Sequence, residues 1–175
     1  ARQVEDGSFK GAINTDAATT TAHYIDFKNG FEVDLPYNPN WGIKNLVPVP
    51  YEATTTAVVF GPFEHIVEGG DSLIRPYSIT VTPNRPESEI IADFQKPLSE
   101  DGRPHVEKIM INGFPAYYVL GKFYCSEQKL EVISRNYNYI LKSDCGHSNE
   151  NEGKEVLLKT AKSMKFFDPS KVIVD

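Results

Sequence analysis

The sequence lacks several features that would assign it directly to a class of protein. No apolar run approaches the ~20 residues that a membrane-spanning helix needs, so no membrane span is expected. Lys and Arg number 18 against 24 Asp and Glu, which gives a formal net charge of −6. A protein that binds a phosphate backbone needs a basic face. We therefore expect neither nucleic acid nor an anionic membrane surface as a partner.

Nucleotide-binding motifs and spaced metal ligands are also missing. Neither a Gly-x-Gly-x-x-Gly segment nor a Walker-type loop occurs, which removes the usual basis for a nucleotide site. Two Cys and four His do not provide the two spaced ligand pairs of a structural zinc site. The donors in residues 144–152 and the acidic residues of 64–71 are interpreted as solvated loops, because the latter lack the spacing of a calcium loop. No metal and no cofactor are predicted.

The composition that remains is that of one ordinary domain. The chain has 175 residues, of which 40% are hydrophobic and 11% aromatic, and these proportions exclude a disordered protein. Residues 1–21 are poor in large apolar side chains and are predicted to form a flexible N-terminal arm. Residues 22–175 are predicted to form a single α+β domain. The chain begins at Ala1 without Met, so a processed or trimmed start is expected, with lipid or tether anchoring upstream of residue 1 left open.

Strand patterns dominate the domain. Asn29-Gly30 lies between alternating apolar and acidic residues and predicts a hairpin with a type I′ turn, whose second strand buries Phe31, Val33 and Leu35. Further strands are predicted at residues 57–60, 77–81, 106–111, 116–124 and 130–141, with a turn at 126–129 and helices at about 86–97 and 149–166. Short connections favour antiparallel pairing. We therefore expect an antiparallel β-sheet with helices packed on its faces.

Three short motifs resemble the PsbP-like proteins and their lipoprotein relatives. Residues 30–36 (GFEVDLP) followed by Trp41 are similar to the opening motif of that family, although residues 36–40 form an insertion before the Trp. Residues 113–117 (GFPAY) are similar to its central strand entry, and residues 163–166 (SMKF) to the end of its final helix, with Met164 in place of a phenyl group. The resemblance implies an α/β/α sandwich and a non-enzymatic accessory or binding role, often outside the cytoplasm. A periplasmic or cell-surface location is therefore expected.

Two four-residue strings favour a different class of function. Gly70-Asp71-Ser72-Leu73 and Asp144-Cys145-Gly146-His147 resemble the first and last blocks of the GDSL esterases. Ser72 would then be the nucleophile, His147 its base and Asp144 the group that orients the base. Against this, a strand-like run follows Ser72, no Gly-x-Asn-Asp block supplies oxyanion donors, and the spacing from Ser72 to His147 is short for that family. A GDSL-like serine esterase is kept as the alternative function.

The two cysteines leave the redox compartment open. A disulfide between Cys125 and Cys145 would indicate an oxidising compartment. The uninterrupted strand predicted at residues 130–141 argues against this bridge, because it separates the two Cα atoms by more than ~7 Å. Only a break near residues 136–138 would bring the cysteines together.

Aromatic side chains provide the remaining candidate contacts with an unidentified protein or small ligand. Tyr37, Trp41 and Tyr51 fall in a stretch rich in Pro and Asn and are predicted to form a contact surface. Strand alternation would also expose a subset of the aromatics on the last predicted hairpin, although strands are rich in Tyr in any case. These residues are Tyr117, Tyr118, Phe123, Tyr124, Tyr137 and Tyr139.

Overall fold

The computed structural model describes residues 21–36, 41–44, 55–62, 77–96, 104–122, 126–143 and 150–171. The elements of these ranges are, in chain order, β1 (Thr21–Asp26), β2 (Phe31–Pro36), β3 (Trp41–Lys44), β4 (Thr55–Pro62), β5 (Tyr77–Pro83), α1 (Glu87–Phe94), β6 (Val106–Ile111), β7 (Phe114–Lys122), β8 (Ser126–Ile133), β9 (Tyr137–Ser143), α2 (Glu150–Ser163) and β10 (Lys165–Phe166), followed by a 3-10 turn at Pro169–Lys171. No helix within these ranges is both long and apolar enough to cross a membrane.

The strands form two antiparallel sheets. The larger sheet has seven strands in the order β3-β4-β5-β9-β8-β7-β6, and the smaller sheet has three in the order β1-β2-β10. Every neighbouring pair in both sheets is antiparallel. The fold class predicted from the sequence, an antiparallel α+β structure with helices on the faces of a sheet, is confirmed.

Apolar side chains cover both faces of the large sheet. The main core lies between one face of the large sheet and a layer made of β1, β2 and α2. Helix α1 covers part of the opposite face, where Ile90 and Phe94 pack on Tyr117 and Val119 of β7. The buried core side chains include Tyr24, Phe31, Val33, Leu35, Phe60, Ile79, Leu130, Val132, Tyr139, Leu141, Leu157 and Met164. The sheet thus lies between two layers, as the sandwich prediction requires.

The first predicted hairpin is present, but its turn differs from the prediction. Residues 27–30 form a four-residue loop in which only Gly30 has a positive φ (72°) and its N–H donates to the carbonyl of Asp26 at 2.9 Å. The Asp26 carboxylate accepts bonds from the backbone N–H and the side-chain amide of Asn29, at 2.9 and 2.8 Å, and this local bonding stabilises the longer loop. The type I′ geometry occurs instead between β6 and β7, where Asn112 and Gly113 have φ values of 51° and 83°.

The strand predicted at residues 130–141 is wrong as a continuous element. Residues 134–136 interrupt it and join β8 to β9, and Ser134 closes the connection by donating to the Tyr137 carbonyl from its N–H (3.0 Å) and its hydroxyl (2.7 Å). The turn predicted at residues 126–129 is also wrong. Those residues form the start of β8, where Gln128 lies opposite Leu120 of β7. Residues 134–136 include neither Gly nor Pro, so the strong turn signals that would have marked this break are absent from the sequence.

Three of the six sheet aromatics considered for exposure are core side chains. Tyr117, Tyr118 and Tyr139 are all buried, on opposite faces of the large sheet, and Tyr137 is half-buried. Phe123 and Tyr124 lie outside the described residues. The Tyr139 hydroxyl donates to the Asn29 carbonyl at 2.7 Å, and burial raises the pKa of this phenol above its ordinary value. These rings are core side chains, which agrees with the general enrichment of Tyr in strands.

We expect Gly30→Ala to destabilise the protein far more than Gly113→Ala. Both glycines have positive φ, so each substitution should cost about 1 kcal/mol in backbone strain. A Cβ at Gly30 would also lie 2.4 Å from the Phe167 carbonyl oxygen and 2.9 Å from Pro169, whereas a Cβ at Gly113 meets nothing within 4 Å. Urea unfolding should show an additional loss of about 2 kcal/mol or more for Gly30→Ala. Equal losses for the two variants would contradict this packing argument.

Candidate functional site

The most buried charge among the described residues is a carboxylate on the face of the large sheet that α1 covers. Glu131 lies in the middle of β8 and is wholly buried. Arg85, just before the first turn of α1, donates to it from Nε (2.9 Å to Oε1) and from Nη2 (2.7 Å to Oε2). Such a two-point contact between a guanidinium and a carboxylate is among the stronger ionic contacts in proteins.

A second carboxylate contacts the same arginine from α1. Asp93 lies 3.4 Å from both terminal nitrogens of Arg85, and it also accepts a 2.9 Å bond from Lys96. The hydrogen bond from Lys96, reinforced by the positive charges of Lys96 and Arg85, holds the pKa of Asp93 below its ordinary value. The hydrogen bond to Glu131 is the largest cause that raises the pKa of Arg85. Both ends of α1 are therefore linked electrostatically to β8 through one guanidinium.

Two amides complete this network. Asn84 donates to the side-chain oxygen of Asn138 (2.8 Å) and to the Ser134 carbonyl (3.0 Å). The Asn138 amide approaches Glu131 at 3.4 Å. We call Asn84, Arg85, Asp93, Glu131 and Asn138 the Arg85 network. Each of its carboxylates is paired with a cation, Glu131 with Arg85 and Asp93 with Arg85 and Lys96, so its chemistry is suited to holding α1 on the sheet rather than to proton transfer or ligand capture.

A second charged group lies on the same face of β8 and β9. Lys129 and Lys142 are directly opposite each other in the two strands, and Glu127 lies 2.6 Å from the amine of Lys142 and 3.9 Å from that of Lys129. Opposed like charges on neighbouring strands repel, and the carboxylate between them offsets that repulsion. The three side chains are each about one quarter to one third exposed. This group carries one net positive charge.

The outer face of the small sheet carries a third, more exposed group. His23 Nδ1 lies 2.7 Å from the Asp34 carboxylate, and His23 Nε2 lies 3.6 Å from Glu32, which also contacts Lys165 at 3.4 Å. Exposed ion pairs of this kind contribute about 0–1 kcal/mol each. In the part of the chain that the structure describes, no group of three His, Cys, Asp or Glu side chains is arranged to hold a metal ion.

One buried hydroxyl has no hydrogen-bond partner among the described residues. Tyr117 Oη lies under α1, beside Ile90 and Phe94, and neither donates nor accepts a bond there. Burial of an unpaired hydroxyl costs about 1–3 kcal/mol. The apolar surroundings of Tyr117 provide no explanation for the hydroxyl.

Most of the predicted site residues lie outside the described residues. These are Tyr37, Tyr51, Ser72, Cys125, Asp144, Cys145 and His147, together with all of the predicted arm except Thr21, which begins β1. Trp41 is the first residue of β3, opposite Pro62 of β4. Trp41 is therefore the one predicted site residue within the described ranges, and the predicted groupings stay predictions.

The Arg85 network was not predicted from the sequence. Glu131 lies between Leu130 and Val132, so the alternation of β8 assigns it to a solvent-facing position. The segment around Arg85 indicates only the start of the helix predicted at about 86–97. No local pattern links Arg85 to Glu131, because the two residues are 46 positions apart in the sequence.

The comparisons with known proteins identify the fold. No protein-family model matches the chain, and no curated protein matches it either. The solution structure of cyanobacterial PsbP (CyanoP) from Synechocystis sp. PCC 6803 is similar, with a TM-score of 0.53 and 15% sequence identity over 90% of this chain and 98% of that chain. The chain has a PsbP-like fold, and the resemblance found in its motifs is confirmed at that level. The comparisons give no support to the GDSL esterase alternative.

We expect Arg85→Met to lower the free energy of unfolding by about 2–3 kcal/mol, because it leaves the buried Glu131 without its main partner. The double variant Arg85→Met/Glu131→Leu removes both charges and should recover more than half of that loss. Urea unfolding of the two single variants and the double variant would provide the coupling energy. Additive losses would show that the two side chains do not stabilise each other.

Proposed function

We propose that this protein is a non-catalytic accessory domain that acts outside the cytoplasm by contact with a protein or a small ligand. The observation that carries this proposal is the PsbP-like fold, which extends over 90% of the chain. The described charged groups support it, because the carboxylates of the Arg85 network are already paired with cations, and so is the carboxylate of Glu127. A catalytic acid or base needs a protonation state that changes readily near the working pH, which such pairing opposes.

The extracytoplasmic part of the proposal is supported by the register of β8 and β9. Gln128 lies opposite Ser143, Cys125 precedes Gln128 by three residues, and Cys145 follows Ser143 by two, so only short segments separate the cysteines from a matched pair. The break at residues 134–136 removes the objection that a continuous strand at 130–141 would keep the two cysteines apart. We infer that Cys125 and Cys145 form a disulfide, which is typical of proteins exported to an oxidising compartment.

The disulfide predicts the behaviour of the unreduced protein under denaturing conditions. We expect neither cysteine to react with iodoacetamide before reduction and both to react after it, as measured by intact mass, with the protein remaining a monomer. Cys125→Ser should leave Cys145 reactive without reductant, which provides the matched control. Reaction of both thiols in the unreduced wild-type protein would contradict the bridge.

The alternative enzyme class is tested by hydrolysis of a short acyl ester. With 4-nitrophenyl acetate as substrate, we expect the wild-type protein and Ser72→Ala to give the same rate, because the proposal assigns no nucleophile to this chain. His147→Ala is the second variant, since an esterase would need this side chain as its base. A turnover that both substitutions abolish would replace the accessory role by the esterase alternative.

A further inference from the structure

The last strand of the large sheet has a free edge. Among the described residues, β6 pairs with β7 alone, in a register that runs from Val106 opposite Val119 to Ile111 opposite Phe114. In a two-residue type I′ hairpin, the residues that flank the turn exchange both hydrogen bonds, and this pattern alternates along the strand. The backbone groups of Val106, Lys108 and Met110 therefore point away from β7 and toward the open edge.

The side chains of β6 do not shield its open edge from a partner strand. Met110 is 61% exposed, and it is the one large apolar side chain with such exposure in the described part of the chain. Lys108 is bonded to Glu87 of α1 at 2.7 Å, so its charge is already neutralised. The face of β6 toward α1 thus presents an apolar side chain next to a neutral ion pair.

Helix α2 packs on the other face of the large sheet, mainly against β8 and β9, and two side chains connect it to β6. Near one end of the strand, Lys154 bonds to Glu107 at 3.0 Å and lies 4.6 Å from the centre of the Tyr118 ring. Near the other end, the Asn112 amide donates to the Lys162 carbonyl at 2.8 Å. These two contacts place one side of α2 toward the β6 edge.

The side of α2 next to this edge is positively charged in a protein of net charge −6. A depression of about 460 Å³ on this helix is lined by three lysines, one glutamate, Asn151 and Leu158. Lys154 is paired with Glu107, whereas no described acidic group is paired with Lys159 or Lys162. Lys159 and Lys162 therefore leave a positive potential on this side of α2, which Glu155 offsets only in part. The charged lining consists of Lys154, Glu155, Lys159 and Lys162.

We propose that the edge of β6 binds an extended segment of a partner protein as an eighth strand, and that this segment alternates acidic and apolar residues. Its backbone would bond to the outward groups of Val106, Lys108 and Met110, as in other cases of strand addition. Its apolar side chains would lie on the face of Met110, and its acidic side chains would lie on the face of α2 with Lys159 and Lys162. The inference rests on the proposed accessory function, for which it names the contact surface.

A second copy of the chain fits this edge less well. A two-fold axis perpendicular to the sheet places residues of the same parity opposite each other. Centring the axis on Lys108 or on Glu107 places that residue against its own copy, and like charges in directly opposed positions repel. A register centred on Ile109 avoids this repulsion. In every register, however, the lysines of both α2 helices would lie on the same face. Charge complementarity therefore favours an acidic partner segment over self-association.

The test uses two labelled octapeptides, one alternating glutamate with valine and one alternating lysine with valine, titrated into the full chain at low salt. We expect fluorescence anisotropy to show binding of the glutamate peptide alone. Hydrogen exchange should show new protection of the amides of Lys108 and Met110, which exchange rapidly in the free protein. Lack of binding by the glutamate peptide, or equal binding of the two peptides, would overturn the proposal.

Charge variants test the contribution of α2. We expect Lys159→Glu/Lys162→Glu to weaken binding of the glutamate peptide by about three- to tenfold. Lys28→Glu/Lys171→Glu makes the same change in net charge at exposed positions of the first hairpin loop and the C-terminal 3-10 turn, and it should change the affinity much less. Equal weakening by both double variants would indicate attraction by net charge alone and would overturn the assignment to this edge.

A backbone variant tests the edge itself. Met110→Pro removes an outward N–H without removing a bond to β7, so the fold should remain intact by circular dichroism, and peptide binding should be lost. Met110→Ala keeps the N–H and should retain binding. If sedimentation shows a dimer that Met110→Pro dissociates, the edge binds a second copy of the chain. That result would overturn the proposal of a partner segment. The peptide titration tests the β6 edge, whereas the alkylation and ester experiments test the proposed accessory function. A failed titration leaves those other results unaffected, so the two proposals can fail separately.

Discussion

The large sheet buries side chains on both of its faces, and this constraint determines the arrangement of the other elements. In β7, Ala116 and Tyr118 belong to the main core, whereas Tyr117 and Val119 belong to the cluster under α1. A strand with two apolar faces needs a cover on each side. The small sheet and α2 provide the first cover, and α1 provides the second. The sandwich is therefore a consequence of β7 and of its neighbours in the sheet.

The two covers are held by different interactions. The layer of β1, β2 and α2 is held mainly by apolar burial, and each fully buried Leu, Ile or Phe contributes about 1.5–3 kcal/mol. Helix α1 has eight residues and buries only Ile90 and Phe94, so its apolar contribution is small. The Arg85 network supplies further contacts at both ends of this helix. A buried ion pair adds less stability than an apolar pair of the same size, but it fixes one orientation, because Glu131 has no other strong cationic partner.

The sequence predicts the elements of this fold better than it predicts their connections. The alternation of Phe31, Val33 and Leu35 identifies β2 and its buried face correctly, because one face of that strand contacts solvent. The same reasoning fails at residues 134–136, where both neighbouring strands are covered on two sides and the polar residues that end them are themselves bonded within the structure. The turn at Gly30 was predicted in position but not in type, because the prediction ignored the carboxylate of Asp26, which bonds to the loop from the preceding strand.

Charged residues within a covered sheet are the part of the candidate site that pattern reasoning misses. Strand alternation alone would place Glu131 in solvent, because a single acidic residue in an alternating strand is usually exposed. Its partner is 46 positions away in the sequence, in a segment whose local pattern indicates only the start of a helix. The edge of β6, by contrast, is identified from backbone geometry and not from side chains. Its outward backbone groups follow from the turn at Asn112 and Gly113 and from the strand order, not from any side-chain motif. A fold shared at 15% identity carries over such an edge only as far as the strand order is preserved, and it does not by itself specify the lysines of α2 that would select the occupant of the edge. The binding preference of this domain is therefore decided by a few surface charges beside a backbone edge, while its core determines only where that edge lies.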